Sequence, residues 1–252
     1  MPEILKLLIF FAVGIIVGFI NILAGGGSLL SLPVLIYFGL PTAVANGTNR
    51  VAIIMQNFIG VLRFHQFKVL PWRLGIYAAI TGVIGATIGA NIAVDVPDAL
   101  FKRLLAGVMV VVLIIILIDP SKRMAGYTHQ LHGWAKLWFA LAFFGVGFYV
   151  GFIQAGVGFI VITVGMFAGF DLVRTNALKI FLIFIFTIMA LGIFIWHGQV
   201  NYLYGFTMGL GNSLGAWWSS KAAVKKGHGW VRGFVLVMGG IFAVKLFFDS
   251  LN

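Results

Sequence analysis

The chain has 252 residues, 62% of them hydrophobic, only 9% charged and none of them cysteine. A soluble domain carries about 25% charged residues, so the composition excludes a water-soluble globule, and the lack of cysteine excludes disulfides and thiolate metal sites. The net charge of +11 sits in short stretches between apolar segments, where the orientation rule for Lys and Arg accounts for it, and no nucleic-acid partner is expected.

Taken in chain order, apolar segments fall at about 4–22, 27–40, 44–64, 72–94 and 99–118, then at about 134–154, 157–170, 173–196, 201–219 and 230–248. The first follows Lys6 and ends in small residues, as a secretory leader does. Its near copy in mid-chain argues for a retained helix, because a cleaved leader has no reason to recur. The second segment of each set is short and follows glycines: Gly25, Gly26 and Gly27 in one case, Gly156 and Gly158 in the other. A segment of that length is a thin crossing or an arm of a re-entrant hairpin.

The two sets repeat one another. Phe10–Asn21 (FFAVGIIVGFIN) and Phe143–Gln154 (FFGVGFYVGFIQ) are identical at eight of twelve positions. Asn46 answers to Asn176, His65 to His197, and Gly85 and Gly89 to Gly211 and Gly215. Duplicated halves in an apolar chain mark a transporter built from structural repeats. If all ten segments cross, one side of the membrane receives twelve Lys and Arg and the other five; re-entrant short segments would divide them far more evenly. The positive-inside rule then favours five crossings per half, with both termini outside. An odd count forces the halves to enter from opposite faces. The expected fold is an all-α membrane protein of ten helical segments in two inverted five-segment repeats: residues 1–118, a cytoplasmic linker over 119–133, and residues 134–252. No separate soluble domain is expected.

Glycines four apart recur at matching places: Gly14 and Gly18, Gly147 and Gly151, Gly85 and Gly89, Gly211 and Gly215. In lipid, close backbone approach through such faces supplies helix association. The pattern fits static packing first, since it is common in membrane helices, and a moving interface second.

Polar residues within spans are costly and call for a reason. Asn21 and Gln154 end the first helix of each half. Asn46, Thr48, Asn49 and Arg50 open the third helix, and Asn176 and Lys179 sit at the matching turn of the second half. A cation therefore enters the membrane from each face, either to serve a site or to snorkel to the headgroups. Helix N-termini present unpaired N–H groups, and Gly25, Gly26, Gly27 and Ser28, with Gly156 and Gly158, would let the backbone approach a ligand. The expectation is a positively biased cavity with glycine-lined walls, suited to a small oxyanion. No Asp or Glu lies deep in a span, which disfavours a cation substrate. His65 and His197 read as interfacial, and His129 and His132 as a solvated loop without the carboxylate or cysteine a metal site would add. Gln56 and Asn57 line the cavity or bond across helices. Lys221, Lys225, Lys226 and His228 read as a contact for anionic membrane lipid. No cofactor or metal is expected, and the sequence leaves homo-oligomerisation open.

Gly18 to Asn21, Ala24 to Ser28, Pro33 and Ala45 to Arg50 resemble the first repeat of the TauE/SafE family, also called the sulfite exporter family. Gly151 to Gly158 with Asn176 to Lys179 resemble its second. The resemblance covers nearly the whole chain and implies a bacterial inner-membrane transporter of sulfite, sulfonates or related sulfur-containing anions. Leu178 stands where Thr48 stands in the first half, so a substrate contact from Thr48 would make the site asymmetric. The leading expectation is a secondary transporter working by alternating access, with an anion channel using the same cavity as the alternative. Intramembrane catalysis is not expected, since nucleophile and acid–base clusters are lacking.

Overall fold

The computed structural model of the protein describes residues 1–23, 25–118, 134–167, 169, 171–225 and 229–249. Among them are ten helices and no strand: α1 (Glu3–Leu23), α2 (Ser28–Tyr37), α3 (Thr42–Gln66), α4 (Trp72–Ala93), α5 (Asp98–Ile118), α6 (Trp134–Phe152), α7 (Val157–Phe167), α8 (Leu172–Trp196), α9 (Tyr202–Lys225) and α10 (Gly229–Asp249). They coincide with the ten apolar segments to within a few residues, except that α9 extends further. The expected linker over 119–133, with His129 and His132, lies outside the described residues, as do Lys226 and His228 of the basic cluster.

Four helices (α1, α4, α5 and α8) are both long and apolar enough to cross a bilayer. Three of the others fall short for visible reasons. Helix α3 is 25 residues long but holds Asn46, Asn49, Arg50, Gln56 and Asn57. Helices α2 and α7 have 10 and 11 residues, about 15 Å of rise each, half of a hydrocarbon core of about 30 Å. The long helices are inside out compared with those of soluble proteins. On α4 the isoleucines Ile76, Ile80, Ile84, Ile88 and Ile92 are exposed, while Gly75, Gly82, Gly85 and Gly89 are buried. Isoleucine every fourth residue makes one lipid-facing stripe, and the glycines make the opposite, protein-facing one.

The glycine pairs place backbone on backbone. A Cβ on Gly18 would run into the main chain of Asn212, and one on Gly215 into Ile15 and Phe19. Gly85 abuts Phe144 and Phe148 in the same way, and Gly151 abuts Ala86 and Ala90. Residue numbers rise together along both contacts, so α1 runs parallel to α9, and α4 parallel to α6. Gly205 against Thr48 and Val51, and Gly209 against Ala52 and Met55, make α9 parallel to α3. Gly75 against Leu178 and Phe181, and Gly82 against Phe186, make α4 parallel to α8. It follows that α1 and α3 share a direction, as do α6 and α8. A single reversal between them would oppose them, so the chain must travel back in between. The short helices α2 and α7 are those return passes.

Two bundles result, one of α1, α3 and α9, the other of α4, α6 and α8. They meet along α3 and α8, which run antiparallel: Gly47 abuts Phe194, the Phe58 and Phe184 rings lie 6.2 Å apart, and Gly60 abuts Ile180. Helices α5 and α10 pack on one another, and α2 and α7 link that pair to the bundles. Exchanging α1–α5 for α6–α10 maps these principal pairings onto themselves.

Candidate functional site

Asn46 and Arg50 of α3, and Asn176 and Lys179 of α8, reach the helix ends of the other half. Helix α6 stops at Phe152, leaving its last four carbonyls without partners inside the helix. Tyr149 O accepts from the backbone N–H of Ile153 and Gln154, each at 3.0 Å. Arg50 Nη1 donates to Val150 O at 2.9 Å, and Arg50 Nη2 to Gly151 O at 2.5 Å. Asn46 Nδ2 donates to Phe152 O at 2.8 Å. Every terminal carbonyl of α6 is thereby satisfied, two of them by a cation placed where the helix dipole favours one.

The Arg50 guanidinium also reaches Asn46 Oδ1 at 3.2 Å and Gln154 Oε1 at 3.4 Å, and lies 4.6 Å from the centre of the Phe194 ring. Its Nε has no partner. Arg50 is 0% exposed, so it does not snorkel.

The opposite end is built on the same plan with fewer bonds. Lys179 Nζ donates to Asn21 O at 3.0 Å and Ile22 O at 3.4 Å, at the end of α1. Asn176 Nδ2 donates to Ile22 O at 2.9 Å. Lys179 is likewise 0% exposed. Because α3 and α8 are antiparallel, the two cations sit towards opposite ends of the seam between the bundles. Each reaches across it, Arg50 from the α1 bundle to α6 and Lys179 from the α6 bundle to α1.

Between the helix breaks lies a small cavity walled by buried residues, with room for roughly one water molecule. Its polar wall is Asn21, Ser28, Asn57, Gln154 and Lys179; Ile53, Val157, Ile180 and Ile183 supply the apolar part. No carboxylate lines it. Most of the polar wall is tied together. Asn21 Nδ2 donates to Gln56 Oε1 at 3.1 Å, and Asn21 Oδ1 accepts from Gly27 N at 3.2 Å, capping the start of α2. Ser28 Oγ donates to Gln154 O at 3.1 Å and accepts from Gly156 N at 3.2 Å. Gln154 Nε2 donates to Thr187 Oγ1 at 2.7 Å. The Tyr149 hydroxyl donates to Ala155 O beside the second break. Gln154 holds a φ of +65°, a conformation uncommon for a residue with a side chain; its backbone and amide bonds hold it there. Asn57 is the exception. Gln56 Nε2 donates to its Oδ1 at 3.0 Å, but its Nδ2, on a side chain 1% exposed, has no partner.

Of the residues singled out in the sequence, Asn21, Ser28, Gln154 and Lys179 line the cavity, while Asn46, Arg50 and Asn176 fasten helix ends. The glycines do not form the wall. Gly25 and Gly158 lie main chain to main chain, Gly26 faces Phe159 and Val235, Gly27 faces Val17 and Asn21, and Gly156 faces Val112. Gly25 and Gly156 turn the chain with φ of +81° and +68°, which glycine adopts without strain. Thr48 Oγ1 accepts from Asn201 N at 2.8 Å, so it holds the start of α9 instead of facing the cavity. Asn49 is buried with its whole amide unpartnered, and the cavity wall does not include it. Asn57 is among the polar residues expected to line the cavity or bond across helices, and it does line it. Thr187 is missed by the sequence and becomes visible only when the halves are aligned on Asn46 and Asn176, which sets it opposite Asn57.

His65 stands edge-on to Trp72, with ring centres 5.7 Å apart, and His197 Nδ1 meets Ile193 O at 2.9 Å. Both close helix ends away from the cavity. Among the described residues no cluster of three His, Cys, Asp or Glu side chains could hold a metal.

Comparison with known proteins points to a family of membrane transporters. The sequence model of the family described as "Sulfite exporter TauE/SafE" matches residues 10–246. A "probable membrane transporter protein" of Haemophilus influenzae is 28% identical over 97% of this chain and 95% of its own length. A "probable membrane transporter protein" from a Sinorhizobium species is 27% identical over 96% and 92%. The "probable membrane transporter protein YfcA" of Escherichia coli K12 is 28% identical over 96% and 90%. No solved structure matches the chain.

Proposed function

This chain belongs to the sulfite exporter TauE/SafE family, and we propose that it is a secondary transporter moving a small sulfur-containing anion, of the sulfite, sulfonate or sulfoacetate class, across a bacterial inner membrane by alternating access. As a member of that family it is a multi-pass membrane transporter. The observation that carries the finer reading is the buried cavity at the seam between two bundles, where among the described residues Lys179 is the only charged wall residue and no carboxylate is found. A fixed cation without a compensating acid favours an anion, because burying either charge alone is costly. The small size of the cavity favours gating over a continuous pore. The mutual contact of Gly25 and Gly158 puts the two helix breaks where parting of the bundles would open it.

The opposed directions of α3 and α8, which occupy equivalent places in the duplicated sequence, support two inverted repeats, 1–118 and 134–252. The Lys and Arg distribution supports periplasmic termini. A reporter fused at residue 252 is expected to be active only in the periplasm; cytoplasmic activity would overturn the topology. For the transport reading, purified protein in proteoliposomes is expected to show saturable sulfite uptake accelerated by sulfite inside the vesicles. Non-saturating flux with single-channel currents would replace the carrier by a channel, and no flux of sulfite, sulfonate or sulfoacetate would refute the substrate class.

A further inference from the structure

We infer that the two buried cations have different duties: Lys179 and Asn57 form the seat for the anion, Arg50 takes no part in it, and the seat selects a monoanion of the sulfonate type over a dianion such as sulfate. The inference rests on the anion-transporter reading, adds to it the ligand atoms, and narrows its substrate class to singly charged anions, hydrogen sulfite and simple sulfonates, setting aside sulfoacetate with its second charge.

Three observations carry it. The first is redundancy. Both carbonyls that Lys179 touches have other donors: Gly25 N reaches Asn21 O at 2.9 Å, and Asn176 Nδ2 reaches Ile22 O at 2.9 Å. Withdrawing the ammonium orphans neither. Arg50 has no such freedom, since among the described residues no other bond to Val150 O or Gly151 O accompanies its own. A cation that its partners can spare is free to turn to a ligand. Arg50 is held.

The second is the unpartnered Asn57 Nδ2, on a side chain 1% exposed and on the same cavity wall as Lys179. A buried donor without an acceptor costs about 1–3 kcal/mol, a cost that an anion oxygen would remove. Two oxygens of one tetrahedral head can take one bond from Lys179 Nζ and one from Asn57 Nδ2. The third is the charge and composition of the wall: one cation, no carboxylate, and an apolar part made of Ile53, Val157, Ile180 and Ile183. One ammonium neutralises one negative charge. A dianion would leave a second charge buried beside isoleucine, where desolvation is not repaid, whereas the carbon substituent of a sulfonate fits that side. Since the cavity holds only about one water, the anion enters as α3 and α8 part.

The test compares methanesulfonate with sulfate, which share a tetrahedral head and differ in charge, by calorimetric titration of the purified full-length protein, with melting temperature measured on the same samples. The parent is expected to bind methanesulfonate at least about tenfold more tightly than sulfate. Lys179→Gln should lose measurable binding while keeping a melting temperature close to the parent's. Asn57→Leu touches none of the helix-end carbonyls; it should keep the fold and weaken methanesulfonate by about tenfold or more, the loss of a hydrogen bond to a charged group. Arg50→Gln should melt earlier yet bind with the parent's affinity per folded molecule.

Sulfate binding as tight as methanesulfonate would overturn the charge selection. Parental affinity in both Lys179→Gln and Asn57→Leu would overturn the seat, as would loss of affinity in folded Arg50→Gln alone. Should Lys179→Gln fail to fold, the redundancy argument is wrong and Asn57→Leu decides the seat. Failure of the parent to bind methanesulfonate, sulfate or sulfite would instead refute the anion-transporter reading itself.

Discussion

The two ends of the α3/α8 seam were copied from one pattern and have diverged. At the Arg50 end the cation is taken up by the protein, and the polar atoms left over there, Arg50 Nε and the Asn49 amide, belong to residues off the cavity wall. The guanidinium serves two carbonyls, Asn46 and Gln154, and rests on Phe194. Thr187 accepts from Gln154 and donates to Ile183 O. At the Lys179 end the fastening is doubled, and a donor is left over at Asn57. Asn57 and Thr187 occupy equivalent places in the two halves, so the same position is closed in one copy and open in the other. Duplication supplied a symmetric frame. The unequal spending of hydrogen bonds within it gives one end a structural task and leaves the other able to meet a ligand.

The largest expected effect lies where the halves touch and the comparison must vanish. Gly158→Val would force a branched side chain into the main chain of Gly25. No rotamer relieves a clash at Cβ, so the two breaks must move apart. Overpacking of a tight interior costs about 1–3 kcal/mol, and a backbone contact stands at the upper end. Loss of most folded protein after detergent extraction is expected, followed by size-exclusion profile and melting temperature. A folded Gly158→Val that fails only to bind anion would restore the glycine break as a ligand wall.

Next comes the contrast of the cations. Arg50→Met strips Val150 O and Gly151 O of their donors inside the protein, and each buried acceptor left unsatisfied costs about 1–3 kcal/mol. Lys179→Met leaves both of its carbonyls bonded and is expected to cost about 1 kcal/mol or less, the net value of an ordinary hydrogen bond. Denaturation of both variants under one set of conditions measures the difference. Equal losses would break the comparison.

How much of this was legible beforehand follows the same division. The ten helices were readable because apolar length is a local property, and the duplication was readable because it is written in identities such as Phe10–Asn21 with Phe143–Gln154. The importance of Arg50 and Lys179 was readable from the cost of a charge in lipid. Their partners were not. Backbone carbonyls at the end of a helix in the other half leave no mark in composition or spacing, so a cation seeking a carbonyl looked the same as one awaiting an anion. The glycines misled for a related reason: a residue without a side chain fits a ligand and a neighbouring backbone equally, and only the packing of Gly25 on Gly158 distinguishes them.

The smallest expected effect concerns the remaining mismatch between the halves, Thr48 against Leu178. In the sequence a hydroxyl present in one copy and absent from the other suggests a one-sided substrate contact. In the fold Thr48 Oγ1 accepts from the backbone N–H of Asn201 at 2.8 Å, just before α9, and Leu178 is buried in an apolar cluster with Phe181 and Phe186. The difference then belongs to how α9 is anchored, not to the cavity. Thr48→Val keeps the shape and removes the acceptor, leaving the Asn201 amide short of a partner. The expected loss is about 1 kcal/mol of stability, with methanesulfonate affinity unchanged. Measuring both on the same preparation decides the matter: a drop in affinity with the melting temperature held would return Thr48 to the site and place the asymmetry of the two halves at the ligand's other face.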